Sequence, residues 1–387
     1  MQRNSGKLSV AFLYDDSLDR PDGVSQYVRT LGAWLAKGGH KVTYLVGQSK
    51  LPSYAGGKVY SLSKNLPVSW GGSRLSISVF PKLKAIKKIL DQEDFDVIHV
   101  QFPYSPFMAK LVINAAKPQT AIVGTVHIYP ANRLAVDGSR ALKIIYGKSL
   151  KRIDKVISVS RAAANYADDV FKLQTDILPN VVDLAKYQST AMVSQQQSKH
   201  IVFLGRLVKR KGCQQLLEAF RLLLKKDADV HLSIGGQGPL RTKLERYAKN
   251  YGLENNVKFL GFVPEEAKPS LLASAAIACF PSLYGECFGI VLIEAMAAGS
   301  GVVIGGDNEG YRSVLGSRPS LLVNPREPQD FADRLYQLLN NSALAKKLHQ
   351  WQQAEINQYD VAVVGPKLVE LYKETIAKRR SSMHNLG

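Results

Sequence analysis

Apolar runs of strand length alternate with helical patterns along the whole chain, and this alternation is what most constrains the fold. Leu8–Tyr14 is an apolar run of strand length, Val24–Lys37 places its apolar residues on one helical face, and Lys41–Val46 returns to a strand pattern. Strands that alternate with helices form parallel sheets covered by helices. The pattern therefore predicts an α/β protein.

The alternation falls into two series, which predicts two Rossmann-like, doubly wound domains facing a central cleft, at 1–187 and 199–358. A length of 387 residues suits two domains. Residues 188–198, QSTAMVSQQQS, have the composition of a linker. Residues 359–387 contain a helix, predicted near Pro366–Arg379, with no strand after it, and we expect this helix to pack back on the first domain.

Further apolar runs of strand length predict more buried strands beyond the first two. In the first domain they are Val97–Val100, Ala121–Val126, Lys155–Val159 and Asp176–Leu178, and in the second Ile201–Leu204, Val230–Ile234, Val257–Leu260, Ala276–Phe280 and Gly301–Ile304.

Three features of composition exclude whole classes of protein. The three cysteines show no paired or metal-ligand spacing, which argues against a disulfide framework or a zinc site. The apolar run near the N-terminus ends in Asp15 and Asp16, unlike a secretory signal. Because no stretch approaches the roughly 18 apolar residues of a membrane span, we expect a cytoplasmic protein, soluble or peripheral on a membrane.

The formal net charge is +19, and the N-terminal half carries most of the excess. A large positive charge favours anionic partners. Anionic lipid, nucleic acid and anionic small substrates all fit at this level.

The most specific motif is residues 285–299, GECFGIVLIEAMAAG. Gly289 is predicted to open a helix, whose N-terminal N–H groups and dipole attract a phosphate. Glu286 precedes this helix, where it suits the hydroxyl groups of a sugar. Glu294 lies inside the helix, where it suits a ribose diol. Because Glu294 sits among apolar residues, its charge needs a partner.

A basic loop follows the first strand of the second series. In residues 205–212, GRLVKRKG, Arg206 and Lys211 are placed to neutralise a leaving diphosphate. Lys209 and Arg210 are expected to be solvated.

Glycines follow two further strands. Gly23 opens the first predicted helix and would let a phosphate or sugar approach the backbone, although an ordinary turn glycine is an equal alternative. Gly235 and Gly236 form a similar loop, without the complete G-x-G-x-x-G spacing of dinucleotide-binding proteins.

His127 ends a predicted strand, with Tyr129 and Arg133 just beyond it. This position suits a contact with a sugar hydroxyl or an acceptor. His99, inside a strand, is expected to be a core residue. Asp94 and Asp96 directly precede that strand and are expected to flank a turn, so no metal site is predicted.

Residues 80–90, FPKLKAIKKIL, combine helical apolar spacing with Lys82, Lys84, Lys87 and Lys88. One interpretation is a helix that docks on an anionic membrane surface. The other is a surface helix whose apolar face joins the core. The number of lysines favours membrane docking, and a second basic stretch at 143–155 lies in the same domain.

With these motifs in place, the chain resembles glycosyltransferase family 4 over nearly its whole length, and its pattern is closest to the bacterial phosphatidylinositol mannosyltransferases. The likeness extends beyond the basic loop and the two-glutamate segment. Further matching segments are 21–24 (PDGV), 39–42 (GHKV), 95–99 (FDVIH) and 179–180 (PN). Asp22 stands where these enzymes commonly have glycine.

The resemblance implies a GT-B hexosyltransferase that retains anomeric configuration and takes a nucleotide-diphosphate sugar as donor. It implies no metal, no cofactor and no protein nucleophile, because the departing phosphate itself takes the proton of the acceptor. The site residues implied are Arg206, Lys211, Glu286 and His127 at the reacting centre, Gly23, Gly235, Gly236, Phe288, Gly289, Ile290 and Glu294 around the donor, and Tyr129 and Arg133 on the acceptor side.

Several alternatives remain open from the sequence. The acceptor is predicted to be a membrane lipid resembling phosphatidylinositol, with a soluble or polysaccharide acceptor as the alternative. A different enzyme on the same architecture, a nucleotide-sugar epimerase or a dinucleotide oxidoreductase, is a further alternative. The oxidoreductase would need the complete glycine fingerprint, which is not found. A nucleic-acid-binding protein would explain the net charge, but no recognised module is present, so no nucleic acid is expected.

Overall fold

The chain divides into two compact units, Met1–Val181 together with Val361–Gly387, and Val182–Asp360. The computed structural model describes residues 6–19, 22–70, 73–130, 133–191 and 198–384.

The division between the units differs from the predicted domain boundaries. The chain enters the second unit at Val182 rather than after residue 187, and it leaves at Asp360. Leu184–Ala191 is a helix of the second unit, where it packs on the helix Lys268–Ala273. Residues 192–197 of the predicted linker lie outside the described residues.

The first unit is built on one large sheet. Its strands are β1 (Ser9–Tyr14), β2 (Lys41–Val46), β3 (Ser53–Tyr54), β4 (Gly57–Ser61), β5 (Lys64–Trp70), β6 (Ser73–Val79), β7 (Val97–Phe102), β8 (Ala121–Val126), β9 (Lys155–Ser158) and β10 (Asp176–Ile177). Its helices before the second unit are α1 (Gly23–Lys37), α2 (Leu83–Gln92), α3 (Met108–Ala115), α4 (Arg133–Tyr146), α5 (Lys148–Lys151) and α6 (Arg161–Tyr166), which continues as a π-helical turn (Ala167–Phe171).

Eight of these strands pair in the order β10-β9-β8-β7-β1-β2-β4-β3. All neighbours are parallel except β3, which runs antiparallel to β4. Strands β5 and β6 form a separate antiparallel hairpin. Every residue of β1, β7 and β8 is buried, as expected for parallel strands covered on both faces.

The second unit has a wholly parallel six-stranded sheet in the order β13-β12-β11-β14-β15-β16. The strands are β11 (His200–Leu204), β12 (His231–Gly235), β13 (Val257–Gly261), β14 (Ile277–Phe280), β15 (Val302–Gly306) and β16 (Leu322–Val323). The helices are α7 (Leu184–Ala191), α8 (Cys213–Leu224), α9 (Arg241–Asn250), α10 (Lys268–Ala273), α11 (Ile290–Ala297), α12 (Glu309–Leu315), α13 (Pro328–Asn340) and α14 (Ser342–Glu355), with 3-10 turns at Lys209–Lys211, Pro319–Leu321 and Ile356–Tyr359.

The last helix, α15 (Val361–His384), belongs to the first unit. It packs on α1, and its Leu368 and Tyr372 are fully buried in the same core as Leu31 and Leu35 of α1. A fully buried leucine stabilises the fold by about 1.5–3 kcal/mol. The chain therefore completes the first unit's core only after it has passed through the second.

Asp15 at the end of β1 gives the first unit a pH-dependent stability. Its Oδ2 accepts a hydrogen bond from the Ser105 backbone N–H at 2.7 Å, and burial raises its pKa from 3.8 to about 7. Between those two values the folded state binds more protons than the unfolded state, so the free energy of unfolding falls as pH rises through this window. We expect Asp15→Asn, which keeps an acceptor for Ser105, to reduce the loss of stability between pH 5 and pH 8 in urea unfolding. An unchanged pH dependence in the variant would contradict this.

Candidate functional site

In the second unit, the loops at the carboxyl ends of neighbouring strands are bonded to one another. Gly205 N–H after β11 donates to Gly235 at 2.9 Å, and Gly236 N–H donates to Gly261 at 2.6 Å. Leu283 N–H, after β14, donates to the backbone oxygen of Arg210 at 2.7 Å. The loops predicted to bind the donor therefore form one continuous edge, which is where ligands bind in such sheets.

Gly289 forms the N-cap of α11, as predicted, and its φ of +103° lies in the left-handed region. A Cβ atom at this position would lie 2.6 Å from the Tyr311 ring, so only glycine fits. Because Gly289 supplies no side-chain acceptor, the first N–H groups of α11 receive no capping partner from it. Phe288 beside it is buried edge-on against Tyr359, while Ile290 is half-buried.

Glu286 is a buried carboxylate held by two cations. Its Oε1 lies 2.8 Å from Lys211 Nζ and 2.8 Å from Arg210 Nη1. Burial raises the pKa of Glu286, but Lys211 and Arg210 together outweigh that effect and lower it. Glu286 is therefore ionised, and its charge is fixed beside the N-terminus of α11.

The prediction for Arg210 was wrong. Its side chain is only 15% exposed, because the 3-10 turn Lys209–Lys211 directs it towards Glu286, whereas Lys209 is exposed as expected. Burial lowers the pKa of Lys211, and the positive charges of Arg210 and Arg206 act in the same direction against Glu286. Arg210 and Lys211 thus both pair with one carboxylate. Together with Arg206, which is exposed and acts on Lys211 through its charge, they form a cationic cluster that suits a ligand carrying more than one negative charge.

Glu294 has the partner that its apolar surroundings require. It is 5% exposed, accepts a hydrogen bond from the Tyr187 hydroxyl at 2.9 Å, and lies 3.7 Å from Lys268 Nζ. Lys268 also pairs with Glu265 at 2.5 Å, and these two acids outweigh burial and raise its pKa. The sequence analysis did not identify Tyr187 and Lys268 as the partners of Glu294. The one signal in the sequence was the three-residue spacing of Glu265 and Lys268, which favours an ion pair on a helix.

In the first unit, α1 begins at Gly23, which is exposed, but its N-terminus is capped by the side chain before it. Asp22 Oδ1 accepts hydrogen bonds from the N–H groups of Val24 and Ser25, both at 2.9 Å, and Oδ2 accepts one from the Tyr14 hydroxyl at 2.9 Å. The sequence analysis missed this cap, although aspartate before a helix is a common signal for one.

His127 directly follows β8 and is half-buried. Its Nε2 lies 2.7 Å from Gln101 Oε1, and the Tyr27 ring packs edge-on against it at 4.7 Å between centroids. Burial lowers the pKa of His127 to about 3, so the imidazole is neutral at physiological pH. Tyr129 is half-buried and Arg133, the first residue of α4, is exposed.

The lysine-rich helix α2 fits both interpretations of its sequence. Ile86, Ile89 and Leu90 are buried in the first unit. The opposite side exposes Lys84, Lys87 and Lys88, preceded by Lys82, and the exposed apolar side chains Phe80 and Leu83 lie at its start. No helix in the described part of the chain is both long and apolar enough to cross a membrane.

Comparison with known proteins assigns both halves of the chain. Residues 21–186 match Glycosyltransferase Family 4, and residues 189–358 match the glycosyl transferases group 1. The chain is 32% identical to the phosphatidyl-myo-inositol mannosyltransferase of Mycobacterium tuberculosis H37Rv, with 96% of this chain and 97% of that protein covered. The chain belongs to glycosyltransferase family 4.

This family 4 glycosyltransferase is also similar to a second relative in sequence and to a solved structure. It is 31% identical to the phosphatidyl-myo-inositol mannosyltransferase of Mycolicibacterium smegmatis, over 93% of this chain and 92% of that one. Its structure is similar to that of Anabaena HepE in complex with UDP and glucose, with a TM-score of 0.73 and 19% identity over 95% of this chain and 99% of that one. The predicted GT-B fold, with two α/β units on parallel sheets, is confirmed, and so is the prediction of a hexosyltransferase.

Proposed function

We propose that this enzyme transfers a hexose, mannose or glucose, from a nucleotide-diphosphate sugar to a membrane lipid with a phosphatidylinositol-like head group, with retention of configuration and without a metal. The observation that carries the proposal is the pairing of Arg210 and Lys211 with Glu286 beside the N-terminus of α11, with the charge of Arg206 acting on Lys211. Cations and helix N–H groups at one point supply what a departing diphosphate needs.

In the proposed reaction, the bond between the anomeric carbon and the diphosphate oxygen breaks while the acceptor oxygen bonds to the same face of that carbon. The acceptor hydroxyl proton passes to the departing phosphate oxygen, so the products are a glycoside and a nucleoside diphosphate. Lys211 and Arg206 stabilise the charge that develops on the leaving group. Glu286, kept ionised by its cations, accepts hydrogen bonds from sugar hydroxyls, and Glu294 does the same for the ribose diol.

The names of the relatives and the surface of the first unit support a lipid acceptor. Two relatives at 31–32% identity are phosphatidyl-myo-inositol mannosyltransferases. The lysines of α2 follow Phe80, which is 75% exposed, and α4 of the same unit exposes Ile144 at 82%. Basic side chains beside exposed apolar ones suit the interface of an anionic bilayer, so we place the enzyme peripherally on the cytoplasmic face of a membrane.

A donor and acceptor panel tests the proposal. The enzyme is incubated in excess EDTA with GDP-mannose, GDP-glucose, UDP-glucose or UDP-galactose, and with phosphatidylinositol vesicles, free inositol or a soluble oligosaccharide. We expect release of nucleoside diphosphate and a glycolipid of retained configuration, identified by NMR, only with the vesicles. If sugar is transferred only to the soluble acceptors, the proposed lipid acceptor is wrong and the acceptor is soluble or a polysaccharide. A requirement for added metal would contradict the proposed mechanism.

Membrane docking gives a separate prediction. We expect Lys84/Lys87/Lys88→Ala to lower binding to vesicles containing anionic lipid by about tenfold or more in flotation, because each cation near such a surface contributes to binding. The control, Lys243/Arg246/Lys249→Ala, removes the same charge from the exposed side of α9 in the second unit and should float like the wild type. Equal flotation of all three proteins would show that α2 does not dock.

A further inference from the structure

Gln101 and His127 lie at the carboxyl ends of adjacent parallel strands. Gln101 pairs in register with Thr125 between β7 and β8, and His127 follows two residues later. The Gln101 side chain is buried and makes two hydrogen bonds. Its Oε1 lies 2.7 Å from His127 Nε2, and its Nε2 lies 3.1 Å from the His99 backbone oxygen.

The second of these bonds fixes the orientation of the Gln101 amide. A backbone carbonyl oxygen only accepts hydrogen bonds, so the Gln101 atom that faces His99 has to be its NH₂ group. The atom that faces His127 is then the amide oxygen, which also only accepts. His127 Nε2 must therefore carry a proton.

A neutral imidazole has one protonated nitrogen, so a proton on Nε2 leaves Nδ1 as an acceptor. Burial keeps His127 neutral, with its pKa lowered to about 3. The titratable groups that face it are also uncharged: burial lowers the pKa of His99 to about 3 and raises that of Tyr27. Among the residues that the structure describes, none bonds to Nδ1.

We propose that Gln101 is a positioning residue that holds His127 in the Nε2–H tautomer, so that Nδ1 accepts a hydrogen bond from a substrate hydroxyl. The inference rests on the proposed function, because it assigns His127 a role towards the transferred sugar or the acceptor. The edge-on Tyr27 ring fixes the plane of the imidazole, and the hydrogen bond with Gln101 determines which ring nitrogen is unprotonated. His127 is thus an acceptor in the site, and it neither donates from Nδ1 nor carries a charge there.

The tautomer is measured directly, without any activity. Two-bond proton–nitrogen correlation spectra of the full chain labelled with ¹⁵N-histidine separate the two tautomers, and His127→Gln assigns the signal among the seven histidines. We expect Nε2 to be protonated and Nδ1 to be bare across pH 6 to 8. A signal from the Nδ1–H tautomer in the wild type would overturn the proposal.

Two substitutions of Gln101 connect the tautomer to transfer. Gln101→Met is close in size and removes the acceptor, so we expect mixed tautomers and a rate of transfer lower by on the order of tenfold. Gln101→Glu adds a negative charge that raises the pKa of His127, so its rate should rise with pH through the neutral range, where we expect no ionisation of His127 in the wild type. If the substitutions change the rate of transfer to the acceptor but not the rate of donor hydrolysis, the hydroxyl that donates to His127 Nδ1 belongs to the acceptor.

A merely structural role would leave a different signature. It would lower the melting temperature of both variants without moving the pH profile or the tautomer ratio, and that result would overturn the proposal. If the wild-type enzyme transfers no sugar to any acceptor, the proposed function fails, whereas the NMR measurement still decides the tautomer.

Discussion

Replacing Lys211 by alanine is expected to lower the rate of sugar transfer by about 10²- to 10³-fold, the range found when one charge-stabilising group is removed from a reacting centre. Lys211 is held 2.8 Å from Glu286 and is largely buried, so its charge acts at short range and in a poorly screened setting. The leaving diphosphate gains negative charge as its bond to the sugar breaks. The loss should therefore appear mainly in kcat and less in the affinity for the donor.

The same loop offers a matched control. Lys209 lies in the same 3-10 turn but is exposed, so Lys209→Ala makes the same chemical change away from the cluster and should transfer at the wild-type rate. The fold should tolerate Lys211→Ala because Arg210 still holds Glu286 at 2.8 Å. Transfer kinetics with isothermal titration of nucleoside diphosphate separate rate from binding. A kcat within about threefold of the wild type would remove Lys211 from the leaving-group site.

The sheets and the position of the donor motifs could be predicted because both are local patterns. Each strand predicted from its apolar run is present, since a parallel strand covered on both faces must be apolar along its length. The prediction that Asp176–Leu178 is a buried strand was wrong in one respect, because both residues of β10 are exposed at the edge of the sheet. The helix that begins after Gly289 could be predicted from its sequence, because the eight residues that follow this glycine, IVLIEAMA, contain neither glycine nor proline.

Contacts between distant parts of the chain could not be predicted. Arg210 meets Glu286 from 76 residues away, and Tyr187 meets Glu294 from 107 residues away. Lys209 and Arg210 look alike in sequence and both were expected to be solvated. Only the turn at Lys209–Lys211 reveals that Arg210, like Lys211, faces a buried acid. Such contacts depend on which strands lie next to each other in the sheet, and the periodicity of apolar residues along the sequence does not determine the order of the strands.

Local features were also missed, among them the strands β3, β4 and β16, the hairpin of β5 and β6, and the ends of the last helix. The hairpin of β5 and β6 stands apart from the main sheet, contains Pro67 and carries polar residues on its strands, so it lacks the apolar run used to find strands. The C-terminal helix extends over Val361–His384, well beyond the predicted Pro366–Arg379. Its C-terminal extension, RSSMH, is polar, whereas its N-terminal extension, VAVVG, is apolar and places Val361 and Val364 in the buried core of the first unit.

Glu294 carries the second large expected effect, on recognition of the donor. A buried carboxylate that accepts hydrogen bonds from both ribose hydroxyls discriminates strongly against a nucleotide that lacks them, because its acceptors are then left unpaired. We expect Glu294→Ala to weaken binding of the nucleoside diphosphate by about 10²-fold. The fold should survive this change, because Lys268 keeps its pair with Glu265 at 2.5 Å.

A chemical double-mutant cycle isolates the contact with ribose. The wild type and Glu294→Ala are each titrated with the nucleoside diphosphate and with its 2′,3′-dideoxy analogue. The wild type should prefer the natural nucleotide by about 10²-fold, while the variant should bind both almost equally. Tyr187→Phe, which removes only the hydroxyl that donates to Glu294 at 2.9 Å, should lose about tenfold and keep part of the preference. If Glu294→Ala still discriminates as strongly as the wild type, the ribose binds elsewhere, and the buried pair of Tyr187 and Glu294 serves only the packing of α7 on α11.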